Sequence, residues 1–566
     1  MTPKTPSWRR FVPLLTWLPN YRRADLGGDV AAGLTTAVML IPQAMAYAML
    51  AGLPPVVGLY ASMVPLVVYA TFGTSRQLAV GPVAMVSLLV ATGVGALVEP
   101  GSPDYIALAV STALLVGLLQ TLMGGARLGF LVNFLSHPVV SGFTSAAALI
   151  IGLSQLKHLL GVQIPRSQHI HNILLAAARR LPDVNTVTLA IGLLSVVGLV
   201  VLKRFAPRFP RALAVVSSAT IAVWALRLDA AGVAVVGVVP SGLPMPSIPM
   251  LNLDALISVF PTAVTIALVG FMESISVAKS FARSRGYAVE PNQELIGLGL
   301  ANVFGSLFGA YPVTGGFSRT AVNAQAGANT GLAAIITASV IAVSLLFLTP
   351  LLHYLPKATL AAIIMTAVAG LFDVAEMRHL WRSDRRDLAL LGLTFVATLS
   401  LGIEEGILLG VAGSMLWFVL ETTRPHTAEL GRLPNSMEWR NLERHPEAVP
   451  TPGVIAVRID SALYYGNVTF LKATLERLLD RNPTASALVM DFSAVHTLDS
   501  SAATALQQIK DELTARGVAL HLATVRGPVR DTLRRAHLDV HIGADCMHEC
   551  VNDAVKASVT RATAPA

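Results

Sequence analysis

The chain has 566 residues, of which 54% are hydrophobic and only 13% charged, with a mean hydropathy of +0.64. Soluble proteins average roughly 25% charged residues, so the composition excludes a soluble globular protein and requires an integral membrane one. A formal net charge of +8 could suggest a nucleic-acid partner, but the lysines and arginines sit in short loops between apolar runs, the positive-inside pattern of a multi-pass membrane protein.

In chain order, residues 1–25 carry Lys4, Arg9, Arg10, Arg22 and Arg23. They have no continuous apolar core before a small-residue cleavage site, so they read as a cytoplasmic N-terminal segment and not as a cleaved signal. Apolar windows of roughly 20 residues, the length of a helical crossing, then recur from Asp29 to Glu421. They define a transmembrane domain over 26–422, with ~10 to 14 spans by hydropathy alone. Lys279, Arg283 and Arg285 follow a middle span, and Arg378, Arg382, Arg385 and Arg386 fill a later loop. Both groups are expected on the cytoplasmic side of the cell membrane. The connector GIEEG, residues 402–406, has two carboxylates and no Lys or Arg, and is expected outside. Both chain ends are then inside and the number of crossings is even.

Two landmarks recur within this domain. PQAMAYAML places Gln43 in an apolar helix and is followed by the interrupted run TSRQLAVGPVAMVSLL, where Gly81 and Pro82 precede a short apolar stretch. Later, GFMESISVAK places Glu273 in an apolar helix and is followed by YPVTGGFSRTAVNAQ. The polar helices are 230 positions apart (43 to 273) and the short runs 235 apart (83 to 318). A polar helix and a broken helix at matching places in two halves is the sequence pointer to inverted repeats with a ligand site at their interface.

A helix that begins at mid-membrane leaves its first N–H groups without partners, and an anion can accept from them. Pro82 suits the first turn of such a helix, and Gly315-Gly316 gives the second the freedom to break. Arg319 supplies a full positive charge matched to oxyanions, and Ser318 a hydroxyl donor. The structural alternative is an arginine that snorkels to a headgroup or pairs with a distant carboxylate. Glu273 next to an anion site is expected to carry a proton or hold a cation such as Na⁺, which couples cation to anion; its alternative is a structural partner of Arg319. Gln43 and Tyr47, one turn apart on one helix face, add donors and an aromatic wall.

Around Thr422 the composition changes. HTAELGRLPNSMEWRNLERHPEAVPTPG is polar and rich in Pro, Glu and Arg, and reads as a linker over 423–450. Residues 451–557 then alternate: strand VIAVRID, helix VTFLKATLERLLD, strand ALVMDFS, helix SSAATALQQIKDELTARG closed by Gly517, strand VALHLATV, two shorter helices and a short strand VHI. This is a small α/β domain with a mixed sheet, followed by a tail over 558–566. The only two cysteines, Cys546 and Cys550, fit a reducing compartment. With His548 they form CMHEC, which reads as small residues on one helix face and not as a metal site, since structural sites need four ligands. Asp499 is a natural N-cap for the helix that starts at Ser500 and Ser501. No nucleophile–base pair or phosphate loop is evident, and the thirteen histidines are scattered, many near loop ends, His137 and His158 among them. An enzyme is not indicated.

At these residues the chain resembles the sulfate permease (SulP) family of anion transporters. PPVVGLYASMVPLVVYATFGTSR, residues 54–76, looks like the family signature, and GYAVEPNQELIGLGLANVFGSLFGAYPVTGGFSRT, residues 286–320, is nearly as specific. The polar part resembles the sulfate transporter and anti-sigma factor antagonist (STAS) domain. The resemblance implies an all-α membrane domain of fourteen segments in two inverted repeats of seven, with core and gate domains, and a homodimer. It implies an anion held between the third and tenth segments by Gln43, Tyr47, Val83, Ala84, Phe317, Ser318 and Arg319, with Glu273 at the acidic position associated with cation coupling. Prestin-like relatives have an aromatic residue where this chain has Val83. HTLDSSAATAL resembles the phosphorylated helix start of anti-sigma antagonists, which makes Ser500 and Ser501 candidate phosphorylation sites for a cytoplasmic regulator, although Ala502 stands where those proteins have Gly. The function implied is secondary active transport of a small inorganic anion, sulfate by default, by proton- or sodium-coupled symport and alternating access. Bicarbonate or dicarboxylate transport, an uncoupled exchanger or channel, and a membrane-held signalling protein are the alternatives.

Overall fold

The computed structural model describes residues 11–130, 136–164, 170–206, 210–249, 252–372 and 374–563. Lys4, Arg9 and Arg10, expected to mark the cytoplasmic face, lie outside them, as does the side chain of Glu404 in GIEEG. The chain divides into two compact units, Met1–Ser414 and Met415–Ala566.

The membrane part is two successive sets of seven segments. The first comprises α1 (Arg23–Leu50), α2 and α3 (Pro55–Tyr60 and Val64–Phe72, one crossing), α4 (Ala84–Gly93), α5 (Pro103–Gly125), α6 and α7 (His137–Ser154 and Leu156–Leu160), α8 (Thr186–Phe205) and α9 (Arg211–Leu226). The second comprises α10 (Leu253–Arg285), α11 (Pro291–Leu307), α12 (Phe317–Gln325), α13 (Leu332–Val343), α14 and α15 (Lys357–Val368 and Val374–Ser383), α16 (Arg385–Ser400) and α17 (Ile403–Thr423). Among the described residues nine helices are long and apolar enough to cross a bilayer; α4, α9, α11, α12 and α16 complete the two sets. The helices α1 and α10 begin 230 positions apart, at Arg23 and Leu253, and α4 and α12 begin 233 apart, at Ala84 and Phe317. The inversion is visible at α6 and α14. His137 at the start of α6 meets Glu376 of α15 at 3.2 Å, while α14 packs against α7. Each of these helices therefore lies against the C-terminal extension of the other.

Two buried carboxylates tie the repeats together. Asp29 of α1 accepts from Asn329 N–H (2.7 Å), Thr330 N–H (3.1 Å), the Thr330 hydroxyl (2.6 Å) and the Tyr21 hydroxyl (3.2 Å). Glu294 of α11 accepts from Thr74 N–H (2.6 Å), the Thr74 hydroxyl (2.6 Å), Ser75 N–H (3.1 Å) and the Tyr69 hydroxyl (2.6 Å). Each repeat thus contributes one acid that holds a loop of the other, and the four donors around each acid satisfy it. Close backbone approach does the rest at α5 and α11: a Cβ on Gly117 would lie 2.6 Å from Gly299 O, and one on Gly299 2.7 Å from Gly117 O. In lipid, where apolar side chains gain nothing by avoiding solvent, such small-residue contacts hold helices together.

Glu294→Ala is expected to lower stability by about 3 kcal/mol, because it strands the Thr74 and Ser75 N–H groups and the Tyr69 hydroxyl. Glu294→Gln should cost much less, since an amide oxygen still accepts from the two N–H groups and the tyrosine hydroxyl can turn to accept. Thermal unfolding in detergent separates the two; equal losses would assign the effect to charge instead of donor satisfaction.

The second unit is a six-stranded sheet in the order β4 (Trp439–Asn441), β3 (Thr427–Arg432), β5 (Val454–Ile459), β6 (Ala487–Asp491), β7 (Ala519–Ala523) and β8 (Met547–His548), the last four parallel. The helices α18 (Val468–Arg481), α19 (Ser500–Ala515), α20 (Gly527–Arg535), α21 (Leu538–Ile542) and α22 (Val551–Thr563) follow the strands. Two expectations are corrected here. The stretch read as a polar linker supplies β3 (Thr427–Arg432) and β4 (Trp439–Asn441), with β3 antiparallel to both β4 and β5; as an outer hairpin it needs apolar residues only on the inward side, where Ala428 and Leu430 are buried. VHI lies in α21 and is not a strand; Leu538 and Ile542, four apart, are the buried pair, which is helical spacing.

CMHEC is not one helix face as read: Cys546 ends a short 3-10 turn, Met547 and His548 form β8, and the next helix begins only at Val551, so Cys546 is buried and Cys550 exposed. The His548 Nε2 lies 2.9 Å from His521 Nδ1, so one ring donates and the other accepts, and burial holds His548 below the ordinary histidine value. Asp499 caps α19 as read, its Oδ1 accepting from Ala502 N–H at 2.7 Å, with Ser500 and Ser501 exposed in the first turn.

Candidate anion-binding site

The two broken segments meet. β1 (Val80–Gly81) pairs antiparallel with β2 (Thr314–Gly315), Val80 opposite Gly315 and Gly81 opposite Thr314, and Gly316 N–H donates to Ala79 O at 3.3 Å. Because the strands run in opposite directions, α4 and α12 leave this junction in opposite directions with their N-termini beside it. At 10 and 9 residues they are about 15 and 14 Å long at 1.5 Å per residue, half of a bilayer core of roughly 30 Å. Neither N-cap, Val83 or Gly316, has a side chain accepting from the first turn, so the positive ends of two half-spanning helices converge without a protein cap.

Two details differ from expectation. Pro82 stands one residue before the N-cap and not in the first helical turn; its carbonyl, which faces the junction, accepts from Arg319 Nη1. Gly315 and Gly316 have ordinary extended backbone, Gly316 at φ −104° and ψ 134°. Glycine is favoured there by proximity: a Cβ on Gly315 would sit 2.6 Å from the Leu78 side chain, which would have to move, and one on Gly316 3.1 Å from Val83 and 3.2 Å from Arg319.

Arg319, in the first turn of α12, is only 1% exposed. It does not snorkel. Its guanidinium reaches across the junction to the first repeat, where Nη1 donates to Pro82 O and Nη2 approaches Ala79 O at 3.5 Å. The buried Nε has no hydrogen-bond partner. Tyr47, Glu273 and Tyr311 are the groups that act on it electrostatically, and among the described residues no carboxylate forms an ion pair with it. The alternative role of Glu273, a structural partner of Arg319, thus has no direct ion pair behind it, although the two act on each other electrostatically.

Gln43 and Tyr47 are buried on one face of α1, Gln43 Nε2 donating to the Tyr47 hydroxyl at 3.0 Å while Gln43 Oε1 has no partner. Turning the amide over lets the oxygen accept from tyrosine and offers the NH₂ group to the site. Val83 and Ala84 are buried at the start of α4. Phe317 and Ser318 are exposed, Phe317 at 58%, and thus border the junction without being enclosed by it. The Phe317 ring lies 6.0 Å from Phe281 of α10. Phe281 is eight residues beyond Glu273 and on the same helix face, so that face of α10 runs past the start of α12. The half-buried Glu273 is placed by its neighbour Ser274, whose hydroxyl accepts from Gly315 N–H at 2.8 Å and meets the Thr314 hydroxyl at 2.6 Å.

Sequence reasoning missed several members of this group. Tyr311 and Ser87 face each other at 2.9 Å between their hydroxyls. Asn302 accepts from Val313 N–H at 2.8 Å and donates to Val313 O at 3.0 Å, and Thr320 accepts from Ala79 N–H at 3.1 Å. The only signal for Tyr311 was its place at the head of YPVTGG.

A helical membrane unit with two half-helices meeting at a buried arginine, joined to an α/β domain, fits the class of anion-transporting membrane proteins. Residues 26–394 match the sulfate permease family and residues 445–554 the STAS domain, and the chain belongs to the sulfate permease family. It is 41% identical over 561 residues to sulfate transporter 4.1, chloroplastic, of Arabidopsis thaliana, which covers 96% of this chain and 82% of that one. A probable sulfate transporter of Mycobacterium tuberculosis is 35% identical over 559 residues, covering 96% of this chain and 99% of its own. The murine Solute Carrier 26 family member A9 anion transporter, solved in the inward-facing state, superposes with a TM-score of 0.91 at 26% identity, over 99% of this chain and 96% of that one. The transmembrane domain of the cyanobacterial bicarbonate transporter BicA superposes with a TM-score of 0.60 at 25% identity, over 70% of this chain and 98% of its own. The family and these relatives are transporters, not enzymes, and this chain is a multi-pass membrane protein.

Proposed function

We propose that the protein carries a small inorganic anion, sulfate by default, across the cell membrane as a secondary active transporter working by alternating access. The observation that carries this reading is the convergence of two uncapped half-helix N-termini on a buried guanidinium. Around it, Gln43, Tyr47, Val83, Ala84, Phe317, Ser318 and Arg319 form the substrate site, and a proton or Na⁺ at Glu273 couples anion entry to a cation gradient. The relatives named as sulfate transporters support sulfate. A second reading, bicarbonate, is supported by the likeness to BicA and uses the same site, because both ions are small oxyanions.

In this reading the basic loops around Arg22, Arg283 and Arg385 face the cytoplasm, so both chain ends lie inside. The protein works as a homodimer, with residues 26–422 as the transport domain and 451–557 as the core of a STAS domain that receives a cytoplasmic regulator. Phosphate on the exposed Ser500 or Ser501 would sit at the N-terminus of α19, where its charge is favoured.

Purified protein in liposomes, given radiolabelled sulfate, bicarbonate or fumarate with and without imposed proton and sodium gradients, tests the proposal. Sulfate is expected to accumulate against its gradient only when a cation gradient is present. Accumulation of bicarbonate alone would select the second reading, and equilibration without accumulation would replace symport by exchange or a channel.

A further inference from the structure

A cavity of about 260 Å³ opens beyond the candidate site, between the end of α1 (Leu50), the second half of α4 (Leu88, Thr92) and the α6–α7 junction (Gln155, Lys157, His158). At roughly 30 Å³ per water it has room for on the order of nine waters, enough for an anion with part of its hydration. Its lining includes Leu88, one helical turn past Ala84 of the candidate site. The helices α1, α4 and α6 all present their C-terminal ends toward it, and those ends carry partial negative charge that repels an anion. Among the described residues, the basic side chains lining it are Lys157 and His158, and no acidic one does.

A like triplet stands at the matching place of the second repeat. Lys157-His158-Leu159 recurs as Arg378-His379-Leu380, 221 positions later, in a repeat whose α6 and α14 start 220 apart, at His137 and Lys357. In both copies the leucine is buried, Leu159 at 7% and Leu380 at 5% exposure, so it anchors the turn. The basic pair before it is half-buried in the first copy and exposed in the second. Glu376, two residues before Arg378, is held by His137 at the start of α6, which places α15 at the end of α6 opposite to α7. The 18 residues of α6 separate the two pairs by about 27 Å, close to the thickness of a bilayer core.

We propose that Lys157, with His158 beside it, forms an electropositive mouth at the α7 end of the anion route, where it collects small oxyanions and offsets the helix C-termini, and that Arg378 with His379 collects them at the α15 end. The inference rests on the transport reading, and its test is chosen to separate the two. In full-length protein carrying Cys546→Ala, Cys550→Ser and Thr92→Cys, the rates at which an anionic and a cationic methanethiosulfonate modify the new thiol report the local potential without any transport. Lys157→Gln is expected to lower the anionic-to-cationic rate ratio roughly 3- to 10-fold, and Lys157→Arg to preserve it.

In vesicles of known orientation, Lys157→Gln in the otherwise native chain should raise the sulfate KM roughly 3- to 10-fold for entry from the α7 side only, with the maximal rate kept, and Arg378→Gln should do so from the α15 side. An unchanged reagent ratio in Lys157→Gln, or an equal KM rise on both sides, overturns the proposal. If the native protein moves no anion, the transport reading fails, while the reagent ratio still decides whether the mouth is electropositive.

Discussion

Arg319→Gln is expected to lower kcat/KM for sulfate uptake by about 100- to 1,000-fold, the loss found when one preorganised donor is removed from an oxyanion site, ~2.7–4 kcal/mol. Two effects add. The site loses its fixed positive charge, and the carbonyls of Pro82 and Ala79, which now receive the guanidinium, turn their negative ends into a junction meant for an anion. Arg319→Lys keeps the charge but cannot span both carbonyls while leaving a third donor, the Nε–H, for the substrate, and should recover only part of the rate. Wild-type uptake by a folded Arg319→Gln protein, its integrity checked by gel filtration, would show that the guanidinium is a structural bracket between the repeats and nothing more.

The second large effect is expected from Glu273→Gln, which fixes the side chain in a neutral form. One proton per anion cycle and a pH difference of one unit supply about 1.4 kcal/mol, a tenfold accumulation. The substitution should abolish that accumulation while leaving downhill movement of sulfate intact. If sodium is the coupling ion, the dependence on sodium disappears by the same substitution. Gradient-driven accumulation at the wild-type level in Glu273→Gln would remove this residue from coupling. The geometry favours a coupling role because Glu273 is half-buried beside a strand that its neighbour Ser274 anchors, yet it is spent on no ion pair with Arg319.

What the sequence revealed, and what it hid, follows the range of the interactions involved. Arg319 in a glycine-rich break and Glu273 in an apolar helix were legible because a charge in lipid is conspicuous at a single position. The repeat was legible because α1 and α10 keep their 230-residue spacing. Tyr311 with Ser87, and Asp29 and Glu294 with their loops, were not legible. Their partners are 219 to 301 positions away, beyond any local pattern, and a tyrosine or a lone acid near a loop has many ordinary uses. Gly315 was read as a source of backbone freedom, but the Leu78 side chain it must clear lies in the other repeat. The hairpin β3–β4 was hidden for a different reason. Its outer face is polar and its inner face is short, so composition resembled a connector although Ala428 and Leu430 carry the alternation of a strand.

The reciprocal grip of Asp29 and Glu294 has a consequence for how the protein is made. The loop at Thr74 and Ser75 waits for an acid 219 to 220 positions downstream, and Asp29 waits for donors 300 positions away. At ribosomal speeds of ~5–20 residues per second, the first half sits in the bilayer for roughly 10 to 60 s with these groups waiting for their partners. During that interval the nascent segments depend on water at the headgroup level, or on an insertase, to shelter groups that the finished molecule supplies from its own second half.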